Sequence, residues 1–240
     1  MHVLDLSYES PACNLAIDEV LLDNLEKGTI PEILRFWESP SRFIVLGHGG
    51  KMSREVDLHE ANRLNIPILR RVSGGGTVMQ GRGCLNYSVI KRSEEDLYST
   101  ISSTTCNVMK KCRDALNTEL TGVSIKGVSD LVYEGKKISG NAQKRKKRSF
   151  LFHGTFLYNF EISDLEGVLT LPDRQPDYRC NKSHNDFVQN ISVSKTKLMT
   201  LMKKEWDAHT EFEMSDFLTN EINNLAISKY ESKDWVYKFK

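Results

Sequence analysis

Apolar residues between Cys13 and Gly28 recur at helical spacing. In CNLAIDEVLLDNLEKG, Leu15, Val20, Leu21, Leu22 and Leu25 form a broad face, Asn14 stands where a cap would, and Gly28 closes the segment. The period then shortens. EILRFW and RFIVLG read as short strands around the turn ESPS, SREVDLHEANRLN as a helix, and ILRRV as a strand entered through Pro67. CLNYSVIK has the β-branched and aromatic content of a further strand. The longest periodic stretch, LYSTISSTTCNVMKKCRDALNTEL, predicts a central helix with Ile101, Cys106, Val108, Met109, Cys112 and Leu116 inward. VSIKG, DLVYEGKKISG with a hairpin turn at Glu134-Gly135, and FLFHGTFLYNF add strands. From about residue 161 the pattern is mainly helical, broken by the polar loop LPDRQPDYRCNKSHND. Hairpins mixed with helices predict one α/β domain over residues 1–240, built on a mixed sheet rather than a doubly wound parallel one.

Composition narrows the partners. A formal net charge of +1, with 39% hydrophobic and 27% charged residues, gives no global pull toward nucleic acid or a membrane surface. The five cysteines (Cys13, Cys84, Cys106, Cys112, Cys180) are scattered and odd in number, which predicts free thiols in a reducing compartment rather than a disulfide framework or zinc site. The opening MHVLDLSYES lacks a basic region followed by an apolar one, and no apolar run approaches a membrane span. The expectation is a cytoplasmic protein.

The stretch RRVSGGGTVMQGRGCLNYSVI concentrates the chemistry. Consecutive glycines let backbone N–H groups converge on an anion and let a ligand approach the main chain. Neither a Walker loop nor a dinucleotide fingerprint is present, so a tight bend between strands is the competing reading. Arg70 and Arg71 favour an anion site, because guanidinium groups bind phosphate or carboxylate in bidentate fashion. Strand alternation sends them to opposite faces, so at most one reaches the loop's concavity. Downstream, Lys136 and Lys137 also alternate, and one of them can point into a pocket beside Gly140. KRKKR, Lys144–Arg148, reads as a solvated loop or as a docking patch for an acidic protein surface. His153 lies in an apolar strand, where a satisfied core histidine is the plainer reading. Cys180 and His184, four apart in the polar loop, form a weak Cys–His nucleophile pair.

Together these stretches resemble the lipoate–protein ligase family, within the biotin and lipoate ligase fold. RRVSGGGTV matches its glycine motif at Arg70, Arg71, Ser73, Gly74, Gly75 and Gly76. Asp130-Leu131, Glu134-Gly135 and KISGNAQ match its lysine strand, FHGTFLYN its His-Gly-Thr strand, and NLAIDE, LRFW and VLGHG its opening elements. The resemblance implies a largely antiparallel sheet flanked by helices. It also implies ATP-dependent formation of lipoyl-AMP from lipoate or octanoate, with Mg²⁺ as companion of ATP and no tightly bound cofactor. Transfer to a lysine of an acceptor lipoyl domain then follows. Lys137 becomes the active-site lysine, and Asp130 the partner of Mg²⁺ or of the incoming lysine. The adenylate and acyl contacts fall on Arg70, Arg71, Ser73, Gly74–Gly76, Thr77, Val78, Asn86, Trp37, Gly140, His153, Gly154 and Thr155. The commoner family motif continues with His-Asp and Gly-Asn, where this chain has Gln80-Gly81 and Gly83-Cys84. Many members carry a C-terminal accessory domain, and this chain is read as a short form in which either a separate accessory subunit serves adenylation or the site closes in another way. ATP-independent octanoyl or lipoyl transferases share the fold and use a cysteine thioester, for which Cys180 is the candidate. A non-catalytic module holding an acyl or nucleotide ligand is the reading from another class.

Overall fold

A computed structural model describes residues 1–93, 98–172 and 175–239. Leu97, inside the predicted central-helix stretch, and Asp173-Arg174, in the predicted polar loop, lie outside them. The chain opens with β1 (His2–Asp5), α1 (Pro11–Lys27), β2 (Ile33–Trp37), β3 (Phe43–Leu46), α2 (Met52–Glu55), α3 (Leu58–Arg63), β4 (Ile68–Arg70) and β5 (Val78–Gln80). It continues through β6 (Cys84–Arg92), α4 (Ile101–Asn117), β7 (Ser124–Lys126), β8 (Asp130–Tyr133), β9 (Lys136–Arg145) and β10 (Ser149–Leu157). Then come α5 (His184–Phe187), α6 (Lys195–Glu205), β11 (Thr210–Glu211), α7 (Asp216–Leu225) and α8 (Lys233–Val236). The main sheet has the order β11-β1-β2-β6-β10-β9-β8-β7, parallel only where β1 meets β2 and β11. A smaller sheet runs β4-β3-β5. The expected mixed, largely antiparallel sheet with flanking helices is the one observed. No helix among the described residues is long and apolar enough to cross a membrane.

Both faces of the main sheet are covered. Leu4, Ile33, Trp37, Ile90 and Leu151 pack with α1, the small sheet and α7. Leu34, Phe36, Leu85, Val89, Phe150 and Phe152 pack with α4 and α6. This is why β2 and most of β6 are buried at every position and show no clean alternation in the sequence.

Several expectations change. Ser10, not Asn14, caps α1, accepting from the Cys13 N–H, with Pro11 in the first turn where its missing donor costs nothing. Asn14 is buried inside the helix and clasps the preceding chain through Tyr8 N and Tyr8 O. In α4, Ile101 and Cys106 are exposed, and the inward face is Thr104, Val108, Met109, Cys112, Ala115 and Leu116. The single helix predicted from SREVDLHEANRLN is two, because extended Val56 bridges to Leu169 and Asp57 caps a new start. The Glu134-Gly135 turn stands, both residues at positive φ (48° and 80°) as a tight hairpin requires.

Candidate active site

Two rungs of the main sheet build the site. In the first, Trp37 on β2 faces Asn86 on β6, and Asn86 faces Thr155 on β10. Gly154 opposite Asn141 sets Gly140 of β9 beside this line, and Gly140 pairs with Asp130 on β8. All seven line one cavity of about 290 Å³ between the main sheet and the small one, whose Val45, Val78 and Gln80 form the other wall. The second rung is Arg35, Ser88, His153 and Ala142. Asp18 of α1 reaches down onto it, accepting from Arg35 (2.6 Å) and Ser88 (2.8 Å) and meeting His153 Nδ1 at 3.2 Å. Burial pushes the Asp18 carboxyl up, but Arg35 and His153 more than offset this and hold it below the ordinary value.

From that anchor a directed chain of hydrogen bonds runs to the glycine loop. Arg71 Nε can only donate, and it donates to Ser73 Oγ at 3.0 Å. Ser73 Oγ also meets His153 Nε2 at 2.5 Å, and the other ring nitrogen of His153 faces Asp18. Arg71 also donates to the carbonyls of Gly74, Gly76 and Val45. With those carbonyls turned inward, trans peptide geometry aims the N–H groups of Gly75 and Thr77 the other way. Gly75 adopts φ +87°, whereas a Cβ on Gly74 or Gly76 would meet nothing within 4 Å. The fold therefore needs one glycine of the three, and the other two leave open space beside the backbone. Gly47 is needed for another reason: its Cβ would lie 1.9 Å from Gly75 O.

The two arginines divide as alternation required. Arg71 lines the cavity; Arg70 does not, which corrects its expected part in binding. Arg70 is wholly buried and donates to carbonyls of Gly47, His48, Gly50, Trp235 and Val236, tying the chain's last helix to the loop after β3. Ser73, which is buried, and Gly74, which is exposed, do not line the cavity. Trp37, Gly75, Gly76, Thr77, Val78, Asn86, Asp130, Lys137, Gly140, His153, Gly154 and Thr155 all line the cavity.

Lys137 points in, while Lys136 turns out toward Asn185 O. The Lys137 ammonium lies over the Gly140 α-carbon, where a Cβ would come within 2.8 Å of it, and meets Asp130 Oδ1 at 2.7 Å. Tyr178 donates to the other carboxylate oxygen at 2.7 Å, and burial with the neighbouring Asp130 charge raises its own pKa. Arg179 and His184 complete that side; burial, then Arg179, hold His184 below its usual value and so neutral. Cys180 does not line the cavity. It sits exposed at φ 49°, its thiol donating to Asp177 O at 3.1 Å. KRKKR is not a free loop: Lys144 and Arg145 end β9, Arg145 holds Thr104 and Tyr98 O, Lys146 pairs with Asp23, and Arg148 bonds Glu26. Asp18 and Glu55 (which accepts from Thr77 Oγ at 2.6 Å) were not singled out from sequence, and Gln80 was noted there only as a departure from the commoner motif. A lone Asp on the buried face of a helix was the available signal for Asp18.

Lys137, Asp130 and the glycine loop thus meet around one cavity between the two sheets. Residues 10–205 match the lipoyl protein ligase A/B catalytic domain, and the chain belongs to that family of lipoate ligases and acyl transferases. It is 30% identical to lipoate-protein ligase LplJ of Bacillus subtilis over 228 residues, covering 94% of this chain and 65% of LplJ. It is 26% identical to octanoyltransferase LipM of Macrococcus caseolyticus, covering 95% of this chain and 94% of LipM. Among solved structures, a lipoate-protein ligase A bound with ATP superimposes with a TM-score of 0.83 at 24% identity, covering 100% and 99% of the two chains. A bi-partite lipoate protein ligase from Thermoplasma acidophilum gives 0.82 at 23% identity, covering 100% and 96%.

Proposed function

We propose that this chain is a lipoate–protein ligase, activating lipoate with ATP and passing the lipoyl group to a lysine of an acceptor lipoyl domain. The observation that carries this reading over thioester transfer is the placement of the cysteines. None of the five lines the cavity. Cys84 and Cys112 are buried, and burial pushes both thiols up to about 12, far from a thiolate at neutral pH. Cys180 faces a backbone carbonyl outside the cavity.

Lys137 would first meet the lipoate carboxylate, whose oxygen attacks the α-phosphorus as pyrophosphate leaves. The same ammonium then faces the carbonyl and phosphate oxygens of the adenylate. The outward N–H groups of Gly75 and Thr77 serve the phosphate side, and the Trp37–Asn86–Thr155 rung carries the acyl chain. The acceptor lysine attacks the carbonyl and AMP leaves. Among the described residues no three metal-ligating side chains cluster. Mg²⁺ needs no such cage when phosphates bring most of its ligands, and Asp130 fits as the single carboxylate; there the ion would neutralise phosphate charge. The free thiols favour a cytoplasmic setting.

Cys180→Ser tests the choice. Lipoate-dependent ATP–pyrophosphate exchange should be retained in full, with cell extract added to supply a separate accessory subunit of the kind found in a bi-partite ligase. Loss of octanoyl transfer from a carrier thioester in that variant, with no exchange in the parent, would establish the transferase instead.

Acceptor docking is placed on Lys144 and Lys147, the members of KRKKR not committed to the ion pairs and bonds described above. Reversing both to Glu should raise the acceptor KM several-fold and leave adenylate formation intact, since rim charges act mainly on encounter. An unchanged acceptor KM removes this surface.

A further inference from the structure

Alternation along β9 alone would keep Lys137 out of the cavity. Asp130 and Gly140 are cross-strand partners and both line it, so Lys137, three residues before Gly140, would face the other way. An extra residue reverses this. Leu131 pairs with Ser139 and Val132 with Lys137, which leaves Ile138 unpaired as a β-bulge, its side chain buried in the core shared with α4. The bulge brings the Lys137 ammonium to the Asp130 carboxylate at 2.7 Å. This delivery depends on the register of the Asp130–Gly140 rung, which is the last of the β8–β9 ladder. Immediately before it lie exposed Val128 and Gly127 at φ +57°.

Asn141 closes the open end of that ladder. Its Nδ2 donates to Ser129 O at 2.8 Å and to Ser139 Oγ at 3.2 Å, and Ser129 Oγ donates to Asn141 O at 2.7 Å. A carbonyl only accepts, so the amide nitrogen must face Ser129, and the amide oxygen is left for the Tyr87 hydroxyl at 2.6 Å. Gly154 makes room for this, since a Cβ there would lie 1.6 Å from Asn141 Oδ1. Asn141 borders the cavity, yet both of its side-chain N–H groups are taken by the protein. We propose that Asn141 is a positioning residue. It replaces the missing ladder bonds at Ser129 and thereby fixes Asp130, and through Asp130 the Lys137 ammonium. This rests on the acyl-activating reading of the same cavity.

Asn141→Ala should lower kcat for lipoate-dependent pyrophosphate exchange by on the order of tenfold, because small misplacements of reacting groups are costly. A double-mutant cycle with Asp130→Asn separates positioning from general loosening. If Asn141 acts through Asp130, Asn141→Ala should cost little more in the Asp130→Asn protein. Equal losses in both backgrounds, or an unchanged kcat in Asn141→Ala, overturn the proposal. Asn141→Leu, similar in shape but without the donor, runs the same cycle if Asn141→Ala does not fold. Where Asp130→Asn turns over too slowly to time, calorimetric affinity for an unreactive acyl-adenylate analogue is read through the same cycle. No exchange in the parent, with cell extract added, sinks the ligase reading alone. The same four proteins in octanoyl transfer from a carrier thioester then decide the positioning role by the same criterion, and absence of both activities sinks both.

Discussion

Lys137→Ala should lose on the order of 10²-fold or more in the rate of acyl activation, the usual cost of removing one charge-stabilising donor. A carboxylate and a triphosphate repel each other, so the first step depends on cations held where they meet. Arg70 is spent on backbone carbonyls, and Arg71 has given four bonds to Ser73, Val45, Gly74 and Gly76. Lys137 differs from both. Among the described residues its ion-pair partner is Asp130, its side chain is 26% exposed, and its flexible stem can follow the carboxyl group from acid to adenylate. The fold loses little, because partly exposed pairs contribute modestly and Asp130 keeps its bond from Tyr178. Lys137→Arg should not restore activity, since a planar fork does not replace a compact ammonium lying over Gly140. Lipoate-dependent pyrophosphate exchange measured beside thermal melts decides it. Near-normal turnover by Lys137→Ala would remove this lysine from the mechanism.

What the sequence made legible follows from how local each feature is. Alternation within one strand separated Lys136 from Lys137 and Arg70 from Arg71. It left open which arginine turned inward, because the answer depends on carbonyls of Trp235 and Val236, 165 and more positions away. The glycine loop was visible as a possible anion site, yet only Gly75 is conformationally obliged to be glycine, a distinction needing φ values and neighbours. Cys180 stood at a plausible distance along the chain from Lys137, but a left-handed turn carries its thiol off the cavity. Ile101 and Cys106 were read into the helical period of α4, but Ile101 is exposed at the helix's first residue and Cys106 lies off the face that packs against α6 and the sheet, a phase only packing fixes. Asp18 was hidden among leucines and isoleucines, since its partners come from three strands spread over more than a hundred residues.

That hidden carboxylate carries the second large effect. Asp18→Ala should destabilise the fold by about 3–5 kcal/mol, the penalty for leaving one member of a buried pair uncompensated. Arg35 has no side-chain exposure, and Asp18 is its ion-pair partner; with Asp18 gone, Arg35 keeps, among the described residues, hydrogen bonds to Asn14 and Leu6 O and its place over the Trp37 ring, none of them an anion. The loss should depend on pH with a definite sign. Because the folded carboxyl titrates below its ordinary 3.8, the native state binds the proton less readily than the unfolded chain does. The contribution is fully present above pH ~4 and is lost as pH falls through the lower folded value. Urea unfolding from pH 7 to pH 3 should therefore show the parent losing stability in acid more steeply than Asp18→Ala, with the two curves converging. Parallel curves would mean that Asp18 is not held as an ion by Arg35. Asp18→Asn separates stability from site geometry: it fills the same space, but only its carbonyl oxygen accepts, so it cannot serve both Arg35 on one side and His153 on the other. If the Asp18–His153–Ser73 chain orients the glycine loop, Asn at this position should lower kcat in exchange assays run well below its melting temperature, while lipoate affinity, set at the other rung, stays near that of the parent.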